Sequence, residues 1–329
     1  MPTPWIDRVE AGRRGKGEPV TYREPRPAKR VPGAMPFVSI VVPARNCERT
    51  IGECLTSLLA LDYPGDRVEI LAVDNASTDG TRQIIERYRV RCLHEPRRGP
   101  SAARNRGIQA SVGDIVAFTD ADCVATPTWL RELAKHFERE EIWGVAGEVA
   151  ADKPHTPAQR YVAMRRPRLQ ETVLRLRQPF AGTGNIAFRR ETFQTISCFD
   201  PMLPSGEDKD FVWRFSGAGL KLAYNPRALV LHRHRDTASK LFVQFVGWGR
   251  GLALVHRKHG VPRSVRRELP EVDLLVALRD LVTAGLRYAL QGGDKMDLYY
   301  PWFDLLRRVG LRAGALYGSV EGVARQREP

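Results

Sequence analysis

Three apolar runs in the first part of the chain each stop abruptly at polar residues. Phe37-Val-Ser-Ile-Val-Val42 ends at Pro43-Ala-Arg-Asn46, and Val68-Glu-Ile-Leu-Ala-Val73 ends at Asp74-Asn-Ala-Ser-Thr-Asp-Gly80. Ile115-Val-Ala-Phe118 ends at Thr119-Asp-Ala-Asp122. Runs of this length read as buried strands. The segments between them, about 50–61, 81–88 and 101–110, read as helices, the last capped by Ser101. A short strand is expected over 90–93. Strand and helix in alternation predict an α/β fold with a mostly parallel sheet and helices on both faces. In open sheets of this kind, ligands bind beyond the carboxyl ends of the strands. That edge collects Arg45, Asp74, Arg104 (through its helix start), Asp120 and Asp122.

The Asp120/Asp122 pair is the sharpest chemical signal. Carboxylates this close repel unless a cation or a proton lies between them. Hard divalent ions are held by one or two carboxylates together with substrate phosphates. The pair therefore points to a metal-assisted reaction on a phosphorylated molecule. Asp-x-Asp is also a common strand-end turn, and on its own the pair leaves that reading open.

The rest of the chain sets the frame. Its 329 residues can bury a substantial core in one large or two small domains. Residues 1–36, rich in Pro, Gly, Arg and Glu, read as a mobile arm. Residues 37–235 read as the catalytic domain and 236–329 as a helical C-terminal region. The formal net charge is +14, and residues 221–267 hold eleven Lys/Arg against one acid. Such blocks meet phosphates, anionic lipid headgroups or nucleic acid, or form a solvated basic face. Clustered aspartates at strand ends count against a nucleic-acid backbone as partner. The five cysteines are odd in number and lack Cys-x-x-Cys spacing, which predicts a reduced, cytoplasmic setting. No apolar stretch is long enough to span a bilayer.

A second acidic patch, Glu207-Asp208, opens a helix whose apolar positions are Phe211, Val212 and Phe215. A carboxylate there is either a helix-start acid or a general base within reach of a hydroxyl. Residues 237–259 combine large apolar side chains with Lys240, Arg250, Arg257 and Lys258. They read as a core helix, with an interfacial helix on an anionic membrane as the competing reading.

Taken in order, Phe37–Asn46, Val73–Thr81, Gly99–Ile108, Thr119–Asp122 and Gly206–Asp210 resemble the motifs of family 2 glycosyltransferases, enzymes of GT-A fold. The resemblance covers roughly 37–260. It implies an inverting transfer from a nucleotide-diphosphate sugar, typically UDP-linked, to a hydroxyl of a saccharide or lipid-linked acceptor. It implies that Asp74 binds the nucleobase and that Pro43, Ala44 and Arg45 line the nucleotide pocket. Arg104 would lie near the phosphate or ribose, and Asp120 at the ribose or metal shell. Asp122 would ligate Mn²⁺ or Mg²⁺, with His234 as the completing histidine and His232 second. Asp208 would be the base, beside Glu207, and Gly182-Thr-Gly-Asn185 would form the donor-sugar and acceptor floor. The alternatives are a nucleotidyltransferase, against which the lack of a glycine-rich segment after the first strand counts, and an inactive nucleotide-sugar-binding protein, against which the retained Asp120, Asp122 and Asp208 count.

Overall fold

The structure, a computed structural model, describes residues 35–165, 180–261 and 274–325. Nearly all of the arm expected over 1–36 lies outside the described residues. The strands are β1 (Val38–Ala44), β2 (Val68–Asp74), β3 (Arg91–His94), β4 (Ile115–Thr119), β5 (Cys123–Ala125), β6 (Ile142–Ala151), β7 (Asn185–Arg189) and β8 (Lys221–His232). They form one sheet in the order β3-β2-β1-β4-β7-β6-β8-β5. The first four pair in parallel. From β4 onward the ladders β4–β7, β7–β6 and β8–β5 are antiparallel.

Alternation along the parallel strands divides the core between the two sheet faces. Val38, Ile40, Val42, Ile70, Ala72 and Ala117 point to one face. There they meet α1 (Ile51–Leu59), α2 (Thr81–Ile85) and α4 (Trp129–Ala134). Val41, Leu71, Val73, Val116 and Phe118 point to the other. That face carries α3 (Pro100–Ala110) and, after α5 (Pro157–Arg165) and α6 (Thr192–Thr195), α7 (Glu207–Gly217). Both faces are covered, so β1 and β4 are apolar throughout apart from Ser39 and Thr119 rather than alternating with polar residues. Ser101 does not cap α3. The helix starts at Pro100, whose missing N–H is no loss in the first turn, and Gly99 turns into it at φ +134°. Ser101 lies buried inside the helix.

The chain divides into two compact units. One contains 35–150, 180–201 and Asp208–His232. The other contains 151–165, Met202–Glu207 and the described residues from Arg233 onward. The second unit holds α5, α8 (Ala238–Lys258), α9 (Leu274–Gln291) and α10 (Lys295–Arg325). Its core joins Tyr161, Leu241, Phe245, Met296 and Phe303, with Tyr161 stacked on Phe303 at 5.3 Å. Helices α8 and α10 approach backbone to backbone. A side chain at Gly314 would collide with Val246 O, and one at Gly249 with Leu311 O. So Ala238–Lys258 is a helix whose buried residues include Leu241, Phe245, Gly249 and Val255.

Candidate active site

Strands β1 and β2 end level with each other, and register pairs Ala44 with Asp74. Pro43 and Ala44 close β1, and Arg45 follows them into solvent. The two loops beyond are stitched together. Asn46 Oδ1 accepts from Thr78 N (2.8 Å), Glu48 Oε2 from Gly80 N (2.8 Å) and Thr81 Oγ1 from Cys47 N (2.8 Å). Asp74 is buried and bounded by two groups. Its Oδ2 lies 3.0 Å from His94 Nδ1, at the paired end of β3, and its Oδ1 accepts from Ser77 N at 3.3 Å.

Asn75, which the sequence reading passed over, organises the next wall. Its Nδ2 donates to Glu95 O and Arg97 O, and its Oδ1 accepts from Gly99 N. One side chain thus ties the 95–99 loop and the start of α3 to the end of β2. That fixes where α3 begins, and so where Arg104 sits one turn in. Arg104 is buried, and its Nη2 donates to Asp120 Oδ1 at 3.0 Å.

Asp120 and Asp122 occupy a tight turn closed by Cys123 N donating to Asp120 O at 3.0 Å. The turn feeds directly into β5, where register sets Cys123 against His232 of β8. His232 Nε2 consequently lies 3.2 Å from Asp122 Oδ1. Ligand atoms of Asp122, Cys123 and His232 all fall within 4.8 Å of one another. The histidine that the structure sets beside Asp122 is therefore His232. His234, favoured from sequence, belongs to the second unit, where its carbonyl accepts from Gln159 Nε2. The physical reason is strand length: β8 runs one residue past Leu231, and the pairing with β5 selects the imidazole at its end.

The segment before β7 runs past two acids. A Cβ on Gly184 would stand 3.1 Å from Asp120 Oδ2, and one on Gly182 3.9 Å from Asp208 Oδ2. Residues two apart are separated by at most about 7 Å. Asp208, at the start of α7, and Asp120, at the end of β4, therefore line the same short stretch. Asp208 Oδ1 accepts from Lys209 N at 2.8 Å, within the first turn where helix N–H groups favour an anion. Glu207 is buried and belongs to the second unit. Asp210, also buried, pairs with Arg214 at 3.0 Å.

Asn185 faces the fold. Its Nδ2 donates to Glu148 O (2.7 Å) and Ala228 O (2.8 Å), and its Oδ1 accepts from Trp129 Nε1 at 2.8 Å. These bonds hold β6, β7, β8 and α4 together. Burial pushes Cys123 and Cys54 well above the ordinary thiol range, with the charges of Asp120 and Asp122 adding to it. Burial likewise pushes Cys47 up to about 12.

The chain matches the model of glycosyl transferase family 2 over residues 39–197. It is 30% identical over 224 residues to glycosyltransferase AglE of Haloferax volcanii, an alignment covering 65% of this chain and 73% of AglE. The chain belongs to glycosyl transferase family 2. Another family relative, the pre-mycofactocin glycosyltransferase of Mycobacterium tuberculosis, is 30% identical over 212 residues, 60% of this chain. The chain spans 43% of that longer protein. The fold resembles that of mannosyltransferase PcManGT from Pyrobaculum calidifontis, solved with GDP-Man and Mn²⁺ (TM-score 0.61, 19% identity, 87% and 88% of the two chains). It also resembles Mycobacterium tuberculosis glucosyl-3-phosphoglycerate synthase, solved with Mn²⁺, UDP and glucosyl-3-phosphoglycerate (TM-score 0.52, 24% identity, 70% and 82%). At these identities the structural likeness is one of fold, and the fold is GT-A: a mixed sheet flanked by helices, here with a helical C-terminal extension. As a family 2 member the chain is a glycosyltransferase.

Proposed function

We propose that this glycosyltransferase moves a sugar, with inversion, from a UDP-linked donor to an acceptor hydroxyl of a saccharide or lipid-linked molecule, in polysaccharide or glycolipid synthesis. The observation that carries the reading is that Asp120 and Asp208 both flank the short Gly182–Gly184 stretch. Acids far apart in sequence line one stretch, and both glycines leave space beside them.

Asp74 accepts an imide N–H of the nucleobase, in a pocket lined by Pro43, Ala44 and Arg45. Arg104 orients Asp120 toward the ribose and adds fixed positive charge near the phosphates. Asp122 and His232 are the metal ligands. The carboxylate oxygen of Asp122 and the imidazole nitrogen of His232 lie within 4.8 Å of each other and of the buried Cys123 sulfur, and a carboxylate together with substrate phosphates suits a hard divalent ion. Mn²⁺ or Mg²⁺ bound there would supply Lewis-acid stabilisation of the departing diphosphate. Asp208 removes the proton of the acceptor hydroxyl as its oxygen bonds to the anomeric carbon and the bond to the diphosphate breaks. One displacement suffices, with no sugar–enzyme bond. The Mn²⁺ complexes of the fold neighbours are compatible with this metal assignment.

A panel of sugar nucleotides, assayed for nucleoside-diphosphate release with Mn²⁺ and then with chelator, tests the proposal. Metal-dependent release from UDP-sugars supports it. Turnover of nucleoside triphosphates with pyrophosphate release would point instead to a nucleotidyltransferase.

A further inference from the structure

Among the described residues, every exposed large apolar side chain belongs to the C-terminal unit. The catalytic unit exposes none of that kind, so this is not the ordinary scatter of surface leucines. The exposed residues are also ordered. On α10, Trp302, Val309, Leu316 and Val320 recur at spacings of seven, seven and four, which places them along one face of the helix. Leu316 and Val320 are 65% and 71% exposed. From first to last the stripe runs about 27 Å at 1.5 Å per residue. The adjacent face of α10, through Gly310 and Gly314, is closed against α8.

Helix α8 gives the stripe a charged border. It carries no acid, and Arg250 and Lys258 supply its surface charge, since Lys240 is paired with Asp236 at 2.7 Å and the Arg257 guanidinium is buried. Arg250 stacks 5.0 Å from the Tyr317 ring, and Arg257 Nη2 donates to Ser319 O at 2.7 Å. Arg250 therefore abuts the apolar stripe. Arg312, exposed, flanks it on α10.

We propose that this α8–α10 face seats the protein on an anionic lipid bilayer. Aliphatic side chains with Trp and Tyr enter the headgroup–acyl boundary, and the adjoining cations meet lipid phosphates. No described helix is long and apolar enough to cross a membrane, so the helix lies in the interface plane. This face differs from the single helix at 237–259 considered from sequence. Its apolar part is on α10, and α8 supplies the charge. The inference stands apart from the sugar-nucleotide reading, since vesicle binding requires no donor, and either can fail alone.

The test is flotation of the full chain with phosphatidylcholine vesicles, with and without about 30% phosphatidylglycerol. Two variants are run beside it, Leu316→Glu/Val320→Glu and Arg312→Glu, with thermal melts to verify folding. Binding to the anionic vesicles that weakens about tenfold or more in the double variant, and weakens with salt, supports the proposal. Arg312→Glu lowers binding to a smaller degree and serves alone if the double variant misfolds. Absent flotation, or flotation unchanged in the folded variants, overturns it. A dimer in light scattering that the double variant dissolves, without vesicle binding, assigns the face to a second copy and overturns it as well.

Discussion

Gly184 and Asn185 are neighbours in sequence with opposite duties. Gly184 leaves room beside Asp120, whereas Asn185 is buried among three hydrogen-bond partners of the fold. Replacing Asn185 by alanine removes one hydrogen bond from each of two carbonyls and from the Trp129 indole N–H, and should lower stability by about 3 kcal/mol in denaturant unfolding. Asp120 and Arg104 are similarly unequal. The guanidinium is buried and the carboxylate is a third exposed. Asp120→Ala should therefore cost more stability than Arg104→Met, because it strips a partner from the buried charge while the reverse change leaves an acid that water can reach. Calorimetric melts of the two variants settle the order. The sequence made the acids at the strand ends legible, because apolar runs stop at them. It could not separate His232 from His234, since that choice depends on which residue of β8 faces Cys123. Asn75 was hidden for a related reason. Its three partners lie 20 to 24 residues away and meet it only after β3 has paired.

At the level of elements, the parallel strands were readable from their unbroken apolar runs. The antiparallel half was less so. β5 is three residues long and follows directly on the Asp120–Asp122 turn, and β6 is interrupted by Gly144 and Gly147. Both glycines are required by close packing: a Cβ on Gly147 would collide with Ala228 O, and one on Gly144 would come within 2.8 Å of Phe188. The C-terminal helices yield two predictions. Gly314→Ala should push α10 off α8 and cost about 2–3 kcal/mol, read as a lowered melting temperature. Asp304 accepts from Tyr161, Arg165, Arg307 and Arg308. Burial raises its carboxyl pKa, but the Arg308 hydrogen bond and the Arg307 and Arg165 charges outweigh burial and hold it below the ordinary carboxylate range. A depressed folded pKa means stability that is present above the unfolded carboxylate pKa and fades as pH falls through the folded one. Asp304→Asn should therefore cost about 2 kcal/mol at neutral pH. The gap from the parent should stay flat from pH 7 to about 5 and close below about 4, in urea titrations at stepped pH.

Across the whole molecule, one sheet edge gathers groups from five stretches of chain: the end of β1, the end of β2, the start of α3, the turn after β4, and the start of α7. Each is set by a strand end or a first helical turn, so the positions are held by packing on both sheet faces. Separate duties for the acids follow from their surroundings. Asp122 sits against an imidazole, while Asp208 sits in a helix's first turn beside Gly182. The most direct measurement pairs UDP titration in Mn²⁺ with sugar transfer, on the parent, Asp208→Asn and Asp122→Ala. Asp208→Asn is predicted to bind UDP within about twofold of the parent while transfer falls by about 10²–10⁴, and Asp122→Ala to lose the metal dependence of binding. Full transfer by Asp208→Asn, or unchanged metal-dependent binding by Asp122→Ala, would contradict the division of labour between the two carboxylates.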